Sequence, residues 1–462
     1  MQEKFFMSPL VKTMAYQDPA LVLQCFADQD WVCFFDSAKS LDELGTFSFI
    51  VFNPIVKLVA DAQGQDDPFA ALQSQLARYS LPKLSHLPPF QGGAAGYFSY
   101  DLLRHVENVP QHRADLMKTP DMMIGIYDTV IAFDHQAKAA WIISHGLSEQ
   151  GVTPCQKIAE DKCDFIFSRL NAAIFDRALK KWPLLSVDAI QSNFAQEAYQ
   201  QMVQKVIDYI YAGDIFQANV SQCFTAALPD ELGPLDLYLK LRTKNPAPFA
   251  AFLDFGAVAI ASASPERFLK SRTNIVETRP IKGTRPRSKD ANQDQQLADA
   301  LMHSDKDQAE NTMITDLMRN DLSRVCADHS VVVKKLCGLE TYETVHHLVS
   351  VIEGTLKPEY GAIDLLRATF PGGSITGAPK VRAMEIIADL EPTARGPYCG
   401  SIGYIGFDGD MDTSILIRTF VIKGKTVTFQ AGGGIVADSV PEEEYQETLT
   451  KADSLLRVLI EP

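Results

Sequence analysis

The sequence has few cysteines and no long apolar segment. Its eight cysteines are scattered singly through 462 residues, with no C-x-x-C pair, which argues against a zinc ribbon or a disulfide framework. No apolar run approaches the roughly 18 residues that a membrane helix needs, and residues 1–13 lack the apolar core of a signal peptide. These absences predict a cytoplasmic protein with no membrane segment.

Positive charge is also scarce. The chain has 43 Lys and Arg against 58 Asp and Glu, a formal net charge of −15. Nucleic-acid-binding proteins usually present a basic face, so this class of protein is disfavoured. No repeat or low-complexity tract stands out, and the length is sufficient for one large domain or for two to three smaller ones.

The predicted elements alternate without the regular strand–helix order of a doubly wound fold. Short apolar runs predict strands at 31–35 and 47–52, and apolar spacing predicts helices at 196–212 and 441–458. Residues 180–192 are the best boundary between an N-terminal region, residues 1–185, and a C-terminal region, residues 193–462. The order favours an α/β (α+β) fold with mixed sheets and outer helices.

The most informative stretch is the basic segment P-I-K-G-T-R-P-R at residues 280–287. Pro280 fixes the approach of the chain, and Gly283 leaves no side chain beside Lys282, so a substrate can come close. A lysine nucleophile needs its neutral amine, which burial and nearby cations both favour. Three arginines are expected to supply those cations: Arg279, Arg285 and Arg287. The alternative is a basic surface loop that binds an anion or nothing.

Two predicted helices each carry carboxylates on one face. Asp307 and Glu310 are three residues apart, and Glu444, Glu447 and Lys451 share a face of the last helix. Together the two faces could hold Mg²⁺, which takes one or two carboxylates and leaves positions for water and substrate. The alternative is a solvated helix with a Glu447–Lys451 ion pair.

A histidine pair and two glycine-rich turns are further candidates. His346 and His347 precede an apolar run, and neighbours in a strand point to opposite faces, so one of them faces the core or a cleft. That histidine could carry protons or be a satisfied core residue. The turns at 370–380 and 430–436 could hold an anion on backbone N–H groups, although each alone fits a plain tight turn better. Arg418 could pair with a carboxylate.

Taken together, these segments resemble the chorismate-utilising enzymes. The motifs that match are S-P-E-R-F at 264–268, P-I-x-G-T-R at 280–285, A-E-N at 309–311, H-L-V-S at 347–350, G-A-P-K at 377–380, A-G-G-G-I at 431–435 and E-Y-x-E-T-x-x-K at 444–451. The resemblance implies the fold of that family, in which mixed or antiparallel sheets pack as a sandwich with helices outside and the two regions intertwine. It also implies a substrate with two carboxylates and an allylic hydroxyl.

The resemblance assigns site residues one by one. It implies Mg²⁺ held by Glu310 and Glu447, with Asp307 and Glu444 behind them. It implies that the substrate lies against Gly283, Thr284, Arg285, Ser374, Tyr398, Arg418, Gly432, Gly433, Gly434 and Lys451.

A few positions separate the branches of this family. Anthranilate synthases have alanine where this chain has Lys282, and aminodeoxychorismate synthases have lysine there. Isochorismate and salicylate synthases use a lysine base at the position of Gln217. The chain is thus similar to the branch that makes 4-amino-4-deoxychorismate for 4-aminobenzoate and folate synthesis, although Thr284–Arg287 resembles the anthranilate branch equally well.

The chemistry of that branch fits these residues. Lys282 would attack C2 of chorismate and displace the C4 hydroxyl, after which ammonia would attack C4 and expel the lysine. Glu266 is the expected general acid and base, with His347 near the departing hydroxyl. No cysteine lies in the G-x-C-x-G elbow of a glutaminase, so the resemblance implies a separate glutaminase subunit that supplies ammonia.

The N-terminal region carries a further hypothesis. Together with two positions of the C-terminal region, four of its positions match residues that surround a tryptophan pocket in this family: Ser37, Phe47, Ser48, Phe49, Pro248 and Phe249. An ordinary packed interface between sheets is the equal alternative. Two other functions are considered for the whole chain. One is component I of an anthranilate synthase, and the other is a non-catalytic chorismate-binding subunit, which would lack Lys282 or a metal carboxylate.

Overall fold

Two large antiparallel sheets form the protein in a computed structural model. The structure describes residues 8–461 except 40–43, 62–63, 65, 80, 82, 111–113, 150, 152, 174–181, 183–184 and 343–344. Within these residues, one sheet has twelve strands and the other has ten. No helix in this part of the chain is long and apolar enough to cross a membrane.

The strands of the described residues are β1 (Leu10–Met14), β2 (Val32–Asp36), β3 (Phe47–Val51), β4 (Val56–Ala60), β5 (Gly93–Phe98), β6 (Met122–Tyr127), β7 (Thr129–Asp134), β8 (Ala139–Ser144), β9 (Gln191–Ser192), β10 (Gln217–Ala227), β11 (Phe249–Asp254), β12 (Ala259–Ser264), β13 (Arg267–Arg272), β14 (Ile275–Thr278), β15 (Ile281–Pro286), β16 (Val332–Thr341), β17 (Val345–Thr355), β18 (Gly377–Ala378), β19 (Ser401–Gly406), β20 (Met411–Ile415), β21 (Thr419–Lys423) and β22 (Thr426–Ile435). The α-helices are α1 (Pro19–Gln24), α2 (Pro68–Leu76), α3 (Gln156–Ala172), α4 (Gln196–Tyr211), α5 (Pro234–Lys244), α6 (Ala291–Met302), α7 (Asp305–Ser323), α8 (Ala362–Thr369), α9 (Lys380–Leu390) and α10 (Pro441–Ile460).

The sheets pack face to face with helices outside. A core of β2, β3, β5, β6, β11 and β19 side chains, including Cys33, Tyr97 and Leu253, lies between the sheets. The outer face of the larger sheet packs on α1, α3, α5 and α10, and that of the smaller sheet on α2, α7 and α8. The predicted sandwich of antiparallel sheets with outer helices is confirmed.

Both sheets combine strands from the two regions of the chain. β2 pairs with β11 in the larger sheet, and β5 pairs with β19 in the smaller one. The predicted strands and helices at 31–35, 47–52, 196–212 and 441–458 are confirmed within two residues at each end. Part of the predicted boundary at 180–192 lies outside the described residues.

Two helices that point carboxylates at the site begin with favourable ends. The Ser304 hydroxyl caps α7 by accepting a hydrogen bond from the Asp307 N–H. α10 starts with Pro441 followed by three glutamates, Glu442 to Glu444. Proline suits the first turn, and the helix dipole favours negative charge there. The residue preferences of a helix N-terminus therefore also place acidic residues at the starts of α7 and α10, beside the sheet edges.

Candidate active site

Lys282 lies on β15, where a bulge interrupts pairing with β17. Gly283 forms this bulge with φ of 78°, a conformation that favours glycine. A Cβ atom there would also lie 3.0 Å from Asp307 and Leu301. The bulge directs the Lys282 ammonium to Glu310 of α7, with Nζ 2.8 Å from Oε1. Both side chains are mostly buried, at 12% and 16% exposed.

The three arginines near Lys282 do not present free positive charge to it, contrary to the prediction. Arg279 donates to Glu340 at 2.6 Å, Arg285 to Asp307 at 2.9 Å and Arg287 to Asp294 at 2.7 Å. Each guanidinium is therefore neutralised by its own carboxylate. The sequence pattern could not show this, because the partners come from β16, α6 and α7, elsewhere in the chain.

Glu266 is buried just before β13 and lies near Lys282. The Ser374 hydroxyl and the Ile281 N–H donate hydrogen bonds to its carboxylate. Burial raises the pKa of Glu266 to about 7, although these donors and Lys282 oppose the shift. Glu266 therefore exchanges a proton near neutral pH, as a general acid and base must.

The two histidines point to opposite faces of β17, as the strand period predicts. His346 faces Asp294 of α6, with Nε2 3.1 Å from Oδ1. His347 faces the site and has Nδ1 2.8 Å from the Thr284 hydroxyl. Burial, reinforced by the Arg418 charge, lowers the pKa of His347 to about 4. His347 is therefore a neutral imidazole at neutral pH and a weaker candidate for proton donation than Glu266.

The four predicted metal carboxylates lie near one another but have different partners. Glu310 also accepts from the Gln217 amide at 2.6 Å, and Glu447 pairs with Lys451 at 2.6 Å. Asp307 is turned to Arg285, and Glu444 accepts from Ser439 at 2.6 Å. Burial acts to raise the pKa of Glu310, but Lys282 outweighs it and the pKa falls, while Lys451 lowers the pKa of Glu447. Glu310 and Glu447 are therefore ionised.

Gly432, Gly433 and Gly434 form a stretch of bare backbone on β22 between these carboxylates. A Cβ on Gly434 would be 2.8 Å from Glu310, and one on Gly433 would be 3.5 Å from Glu447. Two ionised carboxylates across bare backbone suit magnesium, which needs few protein ligands when substrate and water supply the rest. Among the described residues no group of three or more His, Cys, Asp or Glu could hold a metal.

Arg418 is a half-buried guanidinium that lacks a carboxylate partner within the described part of the chain. Its Nη1 donates to the Ser454 hydroxyl at 3.1 Å. Desolvation lowers its pKa, and Tyr398 partly opposes this. Since a desolvated charge is costly without an opposite charge, Arg418 is suited to bind an anionic ligand. The Lys451 ammonium also reaches the Gly432 carbonyl at 3.1 Å, but it already pairs with Glu447.

Hydrogen bonds and electrostatic interactions therefore join the predicted residues into two groups. One contains Lys282, Glu266, Ser374 and Glu310, and the other contains His347 and Thr284 beside Arg418 and Tyr398. The roles of these residues stay predictions.

The sequence reasoning overlooked the polar face of β10. Gln217, Asn219 and Ser221 alternate with Ala218 and Val220, which pack under α4 and α9. The signal in the sequence was a polar residue at every second position of an otherwise apolar strand, which indicates one polar face.

A cavity away from Lys282 lies between the sheets and is lined by residues of both regions. Its volume is about 410 Å³. Five of the six residues predicted for a tryptophan pocket line it: Ser37, Phe47, Phe49, Pro248 and Phe249. Ser48 stands behind the wall and accepts a hydrogen bond from the Ser37 N–H.

The sandwich of antiparallel sheets with outer helices is the fold that the resemblance to chorismate-utilising enzymes predicts. Residues 31–457 match the family described as chorismate binding enzyme, and the chain belongs to this family.

Comparison with individual proteins shows which members of the family the chain is similar to. The chain is 40% identical over 469 residues to aminodeoxychorismate synthase component 1 of Salmonella typhimurium, covering 98% of this chain and 99% of that protein. It is 41% identical over 401 residues to anthranilate synthase component 1 of Thermus thermophilus, covering 85% and 82%. The structure of anthranilate synthase component I from Streptococcus pneumoniae TIGR4 matches with a TM-score of 0.81 at 35% identity, covering 91% and 93%.

The glycine strand gives a matched pair of test variants. A Cβ at 434 would meet the Gln217 amide at 1.9 Å, whereas a Cβ at 433 makes only contacts of 3.4 Å or more. Gly434→Ala should displace Gln217 from Glu310 and lower kcat/KM for chorismate by about tenfold or more, since small misplacements are costly. Gly433→Ala should keep the wild-type melting temperature. This geometry would be contradicted if Gly434→Ala and Gly433→Ala had the same kcat/KM for chorismate and the same melting temperature.

Burial of Glu266 predicts a pH-dependent stability. Between its ordinary pKa of 4.5 and the folded value of about 7, the native state binds more protons than the unfolded state. Unfolding free energy should therefore fall as pH rises through this window, by about 3 kcal/mol. Glu266→Gln should remove this dependence and slow chorismate turnover by about 10²- to 10⁴-fold. Urea unfolding at several pH values measures the unfolding free energy of the wild type and of Glu266→Gln. Identical slopes of this free energy against pH would refute the prediction.

Proposed function

We propose that the chain is component I of a 4-amino-4-deoxychorismate synthase. It would join chorismate and ammonia into 4-amino-4-deoxychorismate, a precursor of 4-aminobenzoate and folate. The observation that carries the proposal is Lys282, whose Nζ points into the site 2.8 Å from Glu310 and close to Glu266. The Salmonella typhimurium relative, named aminodeoxychorismate synthase component 1, matches along nearly the whole chain.

Lys282 acts as a covalent nucleophile in this proposal. The Lys282 ammonium first releases one proton to water. The Nζ lone pair then forms a bond to C2 of chorismate, the ring double bonds shift, and the C4–O bond breaks. Ammonia then forms a bond to C4, the double bonds shift back, and the C2–N bond breaks to release Lys282. Dividing one difficult displacement into two easier ones is the usual advantage of covalent catalysis.

Glu266 handles the protons of both steps. In its neutral form, populated because burial raises its pKa to about 7, it protonates the departing hydroxyl, which leaves as water. The resulting carboxylate accepts a proton from the incoming ammonia. Neutral His347, fixed by Thr284 at 2.8 Å, assists as a hydrogen-bonding group beside the hydroxyl.

The substrate carboxylates are held by two cationic groups and by bare backbone. Arg418 and Tyr398 bind one carboxylate, because the half-buried Arg418 guanidinium donates to the Ser454 hydroxyl and has no carboxylate partner among the described residues. The Gly432 to Gly434 backbone and Lys451 bind the other. Ser374 lies against the ring, beside the Glu266 carboxylate to which it donates.

Magnesium is the expected cofactor. Glu310 and Glu447 would hold it, and Asp307 and Glu444 would add negative charge behind them. When bound, the ion neutralises the ring carboxylate near the reacting carbons.

The ammonia is proposed to come from a separate glutaminase subunit. The relatives are named as component 1 of their enzymes, and none of the cysteines of this chain lies in a glutaminase elbow. Burial raises the pKa of the thiols of Cys33, Cys223 and Cys399 to about 12, which is opposite to what a cysteine nucleophile needs.

Component I of an anthranilate synthase is the alternative function. It is favoured by the 41% identity to the Thermus thermophilus enzyme of that name and by Thr284–Arg287. In that enzyme ammonia would attack C2 directly, and Lys282 would have no covalent role. The two functions thus differ in their product.

Product analysis of the purified chain tests the proposal. With chorismate, magnesium and ammonium, chromatography should show 4-aminobenzoate only after an aminodeoxychorismate lyase is added. Lys282→Ala should lose this product because it lacks the C2 nucleophile. Lys334→Ala, which removes an exposed lysine of β16 paired with Glu353, serves as the control and should keep full activity. Anthranilate formed without the lyase would assign the chain to the other branch.

The cavity between the sheets is proposed to bind tryptophan between its phenylalanine walls. Millimolar tryptophan should raise the melting temperature, by the equivalent of about 2.7 kcal/mol at a hundred times the dissociation constant. Leucine at the same concentration is the control, because it cannot stack on Phe47 and Phe49, whose rings lie 6.3 Å apart. An unchanged melting temperature would show that the cavity does not bind tryptophan.

A further inference from the structure

Arg395 forms a fully buried ion pair that lies behind the site. Its side chain is 0% exposed and that of Glu391 is 3% exposed. Nε and Nη2 donate to the two Glu391 oxygens at 2.9 and 2.8 Å, a bidentate pair. Burying such a pair is costly, and well-packed apolar residues often give equal or greater stability. Stability alone is therefore a weak reason for an arginine in this position.

The remaining Arg395 donors bind backbone carbonyls of two separate segments. Nη1 donates to the Ile375 carbonyl at 3.0 Å, and Nη2 donates to the Asn219 carbonyl at 2.5 Å. The guanidinium also packs against two tyrosine rings, with its carbon 4.5 Å from the Tyr100 centroid and 5.9 Å from the Tyr398 centroid. A single side chain thus connects β10, the turn before β18 and the tyrosine segment before β19.

Each connected segment carries a group that faces the substrate in the proposed reaction. Ile375 follows Ser374, which donates to Glu266. Tyr398 lies beside Arg418. Asn219 follows Gln217 by two residues on the same face of β10, and Gln217 donates to Glu310 at 2.6 Å.

Glu391 strengthens the link to β10. Its Oε1 accepts from both the N–H and the hydroxyl of Ser221, at 2.8 and 2.9 Å. By contrast, the side-chain oxygens of Gln217 and Asn219 are buried without a hydrogen-bond partner among the described residues. The Arg395–Glu391 ion pair therefore holds this face of β10. The side-chain oxygens of Gln217 and Asn219 stay available to accept hydrogen bonds from groups that enter the site.

We propose that Arg395, oriented by Glu391, is a positioning residue for the reaction: it holds the Ser374 turn, Tyr398 and β10 in one arrangement without touching the substrate. Lysine cannot replace it, because an ammonium lacks the planar fork that reaches a carboxylate and two carbonyls at once. The proposal depends on the proposed function only in requiring that the chain turns over chorismate.

The experiment measures chorismate consumption per folded molecule in Arg395→Lys and Arg395→Ala. Folded protein is quantified from the unfolding enthalpy in calorimetry. We expect kcat to fall on the order of 100-fold in both variants, the cost of a misplacement of about 1 Å, with a smaller change in KM. Millimolar guanidinium should restore part of kcat in Arg395→Ala by filling the empty site, and it should not help Arg395→Lys.

The control is Lys162→Met, which breaks the ion pair with buried Asp128 far from the site, where Nζ lies 2.6 Å from Oδ1. It should lose stability yet keep kcat per folded molecule. A wild-type kcat in folded Arg395→Lys would overturn the proposal, as would losses in the Arg395 variants that only follow the folded fraction. If Arg395→Ala does not fold, Arg395→Lys alone decides. A wild-type chain that consumes no chorismate with ammonium or with glutaminase would overturn both this proposal and the proposed function.

Discussion

The need to neutralise buried charge where helices meet the sheet edges is the constraint on which the candidate site depends. In and behind the site, buried or half-buried cations are matched with carboxylates: Lys282 with Glu310, Lys451 with Glu447, Lys380 with Asp321 and Arg395 with Glu391. Arg418 is different, because its hydrogen-bond partner is the Ser454 hydroxyl. Since a desolvated charge without an opposite charge is disfavoured, this imbalance is what makes Arg418 the proposed position for a substrate carboxylate.

The matched pairs also keep the site in order before a substrate arrives. Glu310 accepts from both Lys282 and Gln217, so α7, β15 and β10 meet at a single carboxylate. Lys380 donates to Asp321 and to the Thr369 carbonyl at 2.7 Å each, which ties the start of the Ser374 turn to α7. Positioning by several short charged hydrogen bonds is stiff. Catalytic groups held in this way need little reorganisation when the reaction begins.

Much of the fold could be predicted from local patterns, because strands and amphipathic helices such as 196–212 have a clear period. The motif positions of the candidate site could also be named, since Lys282, Glu266 and Glu310 occur in short recognisable segments. The local Glu447–Lys451 pair could be named from its i,i+4 spacing, but partner choice over long range could not be predicted. Arg285 and Arg287 look like a cationic setting for Lys282 in sequence, yet Asp307 and Asp294 from other helices bind them. Long-range ion pairs leave no local pattern, and neither does the burial that makes Arg395 central.

The two proton-carrying candidates differ because burial acts oppositely on acids and bases. Desolvation penalises the charged form, so it raises the pKa of Glu266 to about 7 and lowers that of His347 to about 4. At neutral pH both groups are therefore substantially uncharged, and only Glu266 then has an acidic proton to give. His347 retains a hydrogen-bonding role, fixed by the Thr284 hydroxyl at 2.8 Å. Burial thus favours the carboxylic acid over the imidazole as the proposed proton donor, even though histidine is the more common proton carrier elsewhere.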